Sequence, residues 1–161
     1  MQLGILGVGN MGGAILNGIL SKGIVKAEQV RIFDLNTQKV DELSKKLGVS
    51  PAATFPDLAA ASDIILLAVK PNVIESVIAE HYTSFVKKAV VSIIAGWNQK
   101  RLAEHLPEST RILRVMPNMP AMTGAGMTVL EKGDTLTQDE HAFAKSMFEA
   151  IGRVDCVDAK L

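Results

Sequence analysis

Gly7-Val8-Gly9-Asn10-Met11-Gly12 follows the apolar run Gln2 to Leu6 and opens a segment in which Met11, Ala14, Ile15, Gly18 and Ile19 recur at helical spacing. A strand, a glycine turn and a helix, in that order, are the setting in which G-x-G-x-x-G has a mechanism. Gly7 permits the tight turn, Gly9 lets the backbone approach a diphosphate, and Gly12 lets helix and strand pack closely. The anion would rest on the helix N-terminus, where free N–H groups and the helix dipole favour negative charge. Three glycines at this spacing cost backbone entropy that a plain turn does not require, so the loop reads as a dinucleotide site.

The chain continues as a βαβ unit. Val30 to Phe33 is the next β-rich run, and Val40, Leu43 and Leu47 mark a helix that Gly48 ends as a C-terminal cap. Asp34 closes the second strand 22 positions after Gly12, about where an acid would accept hydrogen bonds from an adenosine ribose. Asn36, Thr37 and Lys39 follow at once and offer a cradle for a 2′-phosphate instead, so NAD and NADP both remain open. Asp34 also suits a helix N-terminal cap, and the roles are compatible.

Ile64 to Val69 has no polar interruption, as expected of a central parallel strand covered on both faces. Further strands are expected at Ala89 to Ala95, Arg111 to Met116, Met127 to Leu130 and Arg153 to Val157, with helices near Gln99 to His105 and over Gln138 to Ile151. Alternating strands and helices imply a single α/β domain over residues 1–161, a Rossmann-type, doubly wound, mostly parallel sheet flanked by helices.

In such a sheet ligands lie beyond the carboxyl ends of the strands. Three exits there are unusual. Ala68-Val69-Lys70-Pro71 is a sharp exit fixed by proline. Ser92-Ile93-Ile94-Ala95-Gly96 ends in small residues on which a flat ring can lie. Arg114-Val115-Met116-Pro117-Asn118-Met119-Pro120-Ala121 encloses an asparagine between prolines.

Taken in order and at these separations, G-V-G-N-M-G, A-V-K-P, S-I-I-A-G and R-V-M-P-N-M-P resemble the N-terminal half of the pyrroline-5-carboxylate reductases over nearly the whole chain. The resemblance implies reduction of the cyclic imine 1-pyrroline-5-carboxylate to L-proline with NADPH or NADH, the last step of proline biosynthesis. It implies that Leu6 to Met11 cradle the diphosphate, Ala68 to Pro71 line the nicotinamide ribose, Ile93, Ile94 and Ala95 back the nicotinamide, and Met116, Pro117 and Asn118 close that side. Asp34 to Thr37 take the ribose or 2′-phosphate position, where members differ. An adenosine-side asparagine of many relatives has no match in Thr54-Phe55-Pro56-Asp57. Members of the family continue into a helical domain that dimerises and binds the proline-like substrate. The chain is expected to be the cofactor half alone, a monomer or weak dimer, poorly active in isolation.

Two other readings stand beside this one. One is a related Rossmann reductase of the F420-dependent NADP oxidoreductase or β-hydroxyacid dehydrogenase type, and the other a nucleotide-sensing module without catalysis. No catalytic acid, base or metal set is expected. His81, His105 and His141 lack metal-ligand spacing and read as solvated surface residues. Lys70 reads as a solvated stem rather than as an aid to substrate electrostatics, Met116 and Met119 as packing or as ring contacts, and Trp97 as cover for the rim.

Seventeen basic residues balance seventeen acidic ones without a block of like charge, which argues against nucleic acid or a membrane surface as partner. The sole cysteine, Cys156, reads as a small core residue in a reducing compartment. No Lys or Arg precedes Lys22, and no apolar run approaches the ~20 residues of a span, so a cytoplasmic location is expected.

Overall fold

The computed structural model describes residues 1–117 and 126–158. Within them the chain runs β1 (Leu3–Leu6), α1 (Asn10–Ser21), β2 (Val30–Phe33), α2 (Thr37–Leu47), β3 (Ser50–Pro51), α3 (Phe55–Ala60), β4 (Ile64–Leu67), α4 (Pro71–Glu80), β5 (Ala89–Ser92), α5 (Gln99–His105), β6 (Arg111–Pro117), β7 (Gly126–Glu131), α6 (Gln138–Glu149) and β8 (Gly152–Val157).

The strands form one sheet in the order β3-β2-β1-β4-β5-β6-β7-β8. From β3 to β6 every pairing is parallel, with Leu3 beside both Val30 and Ile64. β7 runs antiparallel to β6, and β8 parallel to β7. Chain order reverses between β1 and β4, and there the carboxyl ends open a crevice. The expected doubly wound sheet is therefore present, with β4 at its centre and one antiparallel joint.

Strand alternation divides the core between two faces. Ile64 and Leu66 pack with Leu3, Ile5 and Val91 beneath Ile15, Leu16 and Ile19 of α1 and Met147 and Phe148 of α6. Ile65 and Leu67 pack with Val90 beneath Phe55 and Leu58 of α3, Ile74 and Ile78 of α4 and Leu102 of α5. All four β4 side chains are fully buried, which is why that run carries no polar residue. The sheet's β3 edge is two residues long and includes Pro51, which has no N–H to offer a further strand.

Several sequence expectations change. Pro71, read as a rigid exit, is the first residue of α4, where its fixed φ and missing donor suit a helix start. Trp97 is 2% exposed and belongs to the core, with the Arg101 guanidinium 3.9 Å from its ring centroid and the His105 ring at its edge. Cys156 is exposed on β8. The strand is at the sheet edge. The histidines are half-buried and engaged: His81 meets the Phe55 ring, His105 meets Trp97, and His141 Nδ1 lies 3.1 Å from Asp134.

Arg111 at the start of β6 grips Glu140 of α6 through two bonds, Nε to Oε1 at 2.8 Å and Nη2 to Oε2 at 2.7 Å. Glu140 also accepts the Thr137 N–H, closing a capping box. The Arg111 hydrogen bond above all holds the Glu140 carboxyl below its ordinary range, against the opposing effect of burial. A carboxylate held low stabilises fully above its unfolded pKa of about 4.3, and that contribution is lost as pH falls through the folded value. Glu140→Gln is expected to lower unfolding free energy at pH 7 by about 1–3 kcal/mol. Urea denaturation at neutral and acid pH checks this, since the gap between the two proteins must narrow on acidification.

Candidate functional site

The glycine loop is built by close approach. Gly7 has φ +99°, a conformation that side chains rarely adopt, and a Cβ there would stand 2.6 Å from the Ala68 carbonyl oxygen. A Cβ on Gly12 would collide with the Gly7 carbonyl oxygen. Gly9 differs, because a Cβ there would meet nothing within 4 Å, and the residue is exposed. Two glycines close the turn, and the third leaves its backbone open to approach.

Caps mark the same place from another direction. Side-chain oxygens of Asn36, Thr54, Asn98 and Thr137 accept first-turn N–H groups of α2, α3, α5 and α6. α1, entered through Gly9, and α4, entered through Lys70, carry no side-chain cap and no acid in the first turn. At α1 the opening amides have no side-chain acceptor, whereas at α4 Pro71 has no N–H and the Val73 N–H donates to the Lys70 carbonyl at 3.0 Å. Both helices begin at the crevice beside β1 and β4.

Asp34 has a more definite role than ribose contact or capping. Its Oδ2 accepts the Val8 N–H at 2.8 Å and its Oδ1 accepts the Asn36 N–H at 2.9 Å, so the carboxylate ties the end of β2 to the glycine loop. Asn36 is the cap of α2, its Oδ1 accepting the Lys39 N–H at 3.2 Å. Thr37 and Lys39 follow in the first turn of that helix. Val8 therefore presents no free amide, and its side chain, like that of Leu6, is buried. Amides from Gly9 onward are the ones an anion could reach.

Across the crevice, Ala68 and Val69 are half-buried and Lys70 is exposed, as its reading as a solvated stem requires. The Ala68 N–H donates to the Leu6 carbonyl at 2.8 Å and the Ile93 N–H to the Leu67 carbonyl at 3.1 Å, which sets the exits of β1, β4 and β5 at one level. The Ile94 side chain turns into the core and Ile93 is half-buried, while Ala95 and Gly96 are exposed and put small groups on the outer side. Met116 and Pro117 are half-buried on β6. Asn118, with Met119, Pro120 and Ala121, lies outside the described residues.

A recess of about 740 Å³ runs along the outer side of α1 past Gly13, Asn17 and Ser21 toward Ala150 and touches the loop only at Gly9 and Asn10. It misses the carboxyl ends of β4 and β5. The chemistry points to the crevice, where first-turn amides and strand exits converge, rather than to that recess. Among the described residues no three metal-ligating side chains gather, and no helix is long and apolar enough to cross a membrane.

Residues 2–96, more than half of the chain, match the sequence family described as NADP oxidoreductase coenzyme F420-dependent. The chain belongs to that family. Among curated relatives, the pyrroline-5-carboxylate reductase of Escherichia coli is 34% identical over 157 residues, which cover 97% of this chain and 58% of the relative. The Synechocystis enzyme of the same name is 34% identical over 154 residues, covering 96% and 57%. Among solved structures, a pyrroline-5-carboxylate reductase from Coxiella burnetii superposes with a TM-score of 0.91 at 28% identity, covering 99% of this chain and 59% of that one. The Plasmodium falciparum pyrroline carboxylate reductase with NADP bound gives 0.86 at 26%, covering 99% and 58%. This family member thus spans less than two-thirds of the length of the relatives it matches.

One group of residues in this oxidoreductase domain escaped the sequence reading. Gln99, at the start of α5, accepts the Arg114 N–H through Oε1 at 3.1 Å and donates from Nε2 to the Lys132 carbonyl at 3.1 Å. Its own N–H donates to Glu131 Oε2 at 3.2 Å, and Glu131, 3% exposed, lies 3.9 Å from the Arg114 guanidinium. Together they tie the start of α5 to the middle of β6 and the end of β7. A glutamine at a helix start carries no sequence signal of such a role.

Asp34→Ala leaves the Val8 N–H without its acceptor at a tightly packed turn. The substitution is expected to lower stability by about 1–3 kcal/mol, read from the shift of the urea midpoint at unchanged slope.

Proposed function

We propose that this chain is the cofactor-binding half of a pyrroline-5-carboxylate reductase, holding NADPH or NADH for hydride transfer to 1-pyrroline-5-carboxylate, with L-proline as product. The observation that carries the reading is the uncapped N-terminus of α1, entered through a glycine with open space before it, in a chain whose relatives of that name match it nearly end to end.

The residues fit such a cofactor. Backbone amides from Gly9 to Gly12 would take the diphosphate, and Asp34 would hold the loop in shape for them. Asn36, Thr37 and Lys39 would face the adenosine ribose or its 2′-phosphate. Ala68, Val69, Lys70 and Pro71 would border the nicotinamide ribose, and the Ile93 to Ala95 backbone, with Met116, Pro117 and Asn118, would border the ring. When bound, NAD(P)H would supply a hydride to the electrophilic carbon of a protonated imine. The chain's contribution is then positioning at roughly 3–3.5 Å, and none of its side chains is assigned as acid, base or nucleophile. Residues that grip the imine would belong to sequence beyond this domain. A cytoplasmic setting completes the reading.

A coenzyme F420-dependent NADP oxidoreductase is the second reading, favoured by the family description over residues 2–96. The relatives that also take in β6, β7 and β8 bear the reductase name, which favours the first.

Calorimetric titration of the chain with NADPH and with NADH is the direct test. At least one is expected to bind at micromolar strength, and the tighter one assigns Asp34 to Thr37 to ribose or phosphate. Gly9→Asp puts a carboxylate where the diphosphate belongs without touching packed atoms. It is expected to weaken binding at least tenfold while leaving the unfolding midpoint unchanged. Failure of both dinucleotides to bind would overturn the cofactor assignment, and assay of the complete gene product on 1-pyrroline-5-carboxylate separates the two reductase readings.

A further inference from the structure

β8 (Gly152–Val157) is the outer strand of the sheet and pairs with β7 on its inner side. The Ile151 and Val157 carbonyls accept the Gly126 and Lys132 N–H groups, at 3.2 and 2.8 Å. Residues in step with them, Arg153 and Asp155, therefore turn their backbone groups toward β7. By the alternation of a strand, Gly152, Val154 and Cys156 direct theirs outward. The strand holds no proline and, unlike the β3 edge, is six residues long. Arg153 and Asp155 are exposed and, two residues apart, share one face. The outward Cys156 N–H donates to the neighbouring Asp155 carboxylate, at 2.8 Å.

We infer that β8 pairs antiparallel with β8 of a second copy of this chain, about a twofold axis at Val154. In this register Val154 faces its own copy and Gly152 faces Cys156, so the outward N–H and C=O groups of all three residues meet as hydrogen-bonded pairs. Arg153 then stands opposite Asp155 of the other copy on each side of the axis, at the non-hydrogen-bonded positions where side chains come closest. The charges select the register. Centring the pair on Arg153 or on Asp155 would bring like charges face to face. Centring it between neighbouring residues would set outward groups against inward ones and leave the ladder unmade. The contact is isologous and closes on itself as a dimer. Its small area makes the dimer dissociable. The pairing is independent of the nucleotide reading, since β8 lies four strands away from β4 across the sheet.

Sedimentation equilibrium of the 161-residue chain up to about 1 mM tests the pairing. A reversible monomer–dimer equilibrium is expected. Asp155→Arg and Arg153→Asp, each of which sets two like-charged pairs opposite one another, are expected to raise the dissociation constant about tenfold. The double exchange R153D/D155R restores the complementarity and is expected to return it to within about threefold of the parent. Circular dichroism identifies any variant that does not fold, and the remaining exchange variants then carry the comparison. A chain that stays monomeric throughout overturns the inference. So does a dimer whose constant ignores both single exchanges, or single losses that the double exchange does not repair.

Discussion

The contact that the molecule is organised around is the one between the Gly7 carbonyl, the Gly12 backbone and the exit of β4 at Ala68. No side chain fits between them: a Cβ on Gly7 would press on the Ala68 carbonyl and one on Gly12 on the Gly7 carbonyl. With both absent, α1 can start directly against the end of β1, and its first turn faces the crevice beside β4. Asp34 then fixes the loop from the β2 side, and the bond from the Ala68 N–H to the Leu6 carbonyl fixes it from the β4 side. Three neighbouring strands converge on one turn, and the open amides of α1 take their direction from that convergence.

Much of this was legible because each signal was local. The glycine spacing, the unbroken Ile64–Leu67 run and the left-handed Gly48 cap of α2 each act through a few neighbouring residues, and each lies where the sequence placed it. What stayed hidden depended on partners far along the chain. Asp34 had several possible uses, and only the fold brings the Val8 N–H to it. Trp97 and the histidines look polar or peripheral in sequence, yet each is claimed by a ring or a carboxylate on another element. Pro71 looks like an end in sequence, whereas a proline at a first helical position is a beginning, here of α4. Cys156 looks like a small core residue in sequence, yet it lies exposed on the edge strand β8.

The rim of the crevice combines two kinds of rigidity. At α1 and α4 the helix starts are left without caps, so their electrostatic potential is available to whatever binds. At α5 the start is tied down by Asn98 and by the Gln99 bonds to β6 and β7. One side of the cleft can respond to charge, while the other supplies a fixed wall of small groups. A flat heteroaromatic ring needs the second, and a phosphate needs the first.

The two ends of the sheet are unlike in a way that limits assembly. At β3, two residues and a proline give an incoming strand nothing to bond to. At β8, six residues offer a full row of backbone groups. A sheet with both margins open could add molecule after molecule into a filament. With one margin stopped, association through strands ends after a single step, and the chain can present a sticky edge without the hazard of fibrous growth.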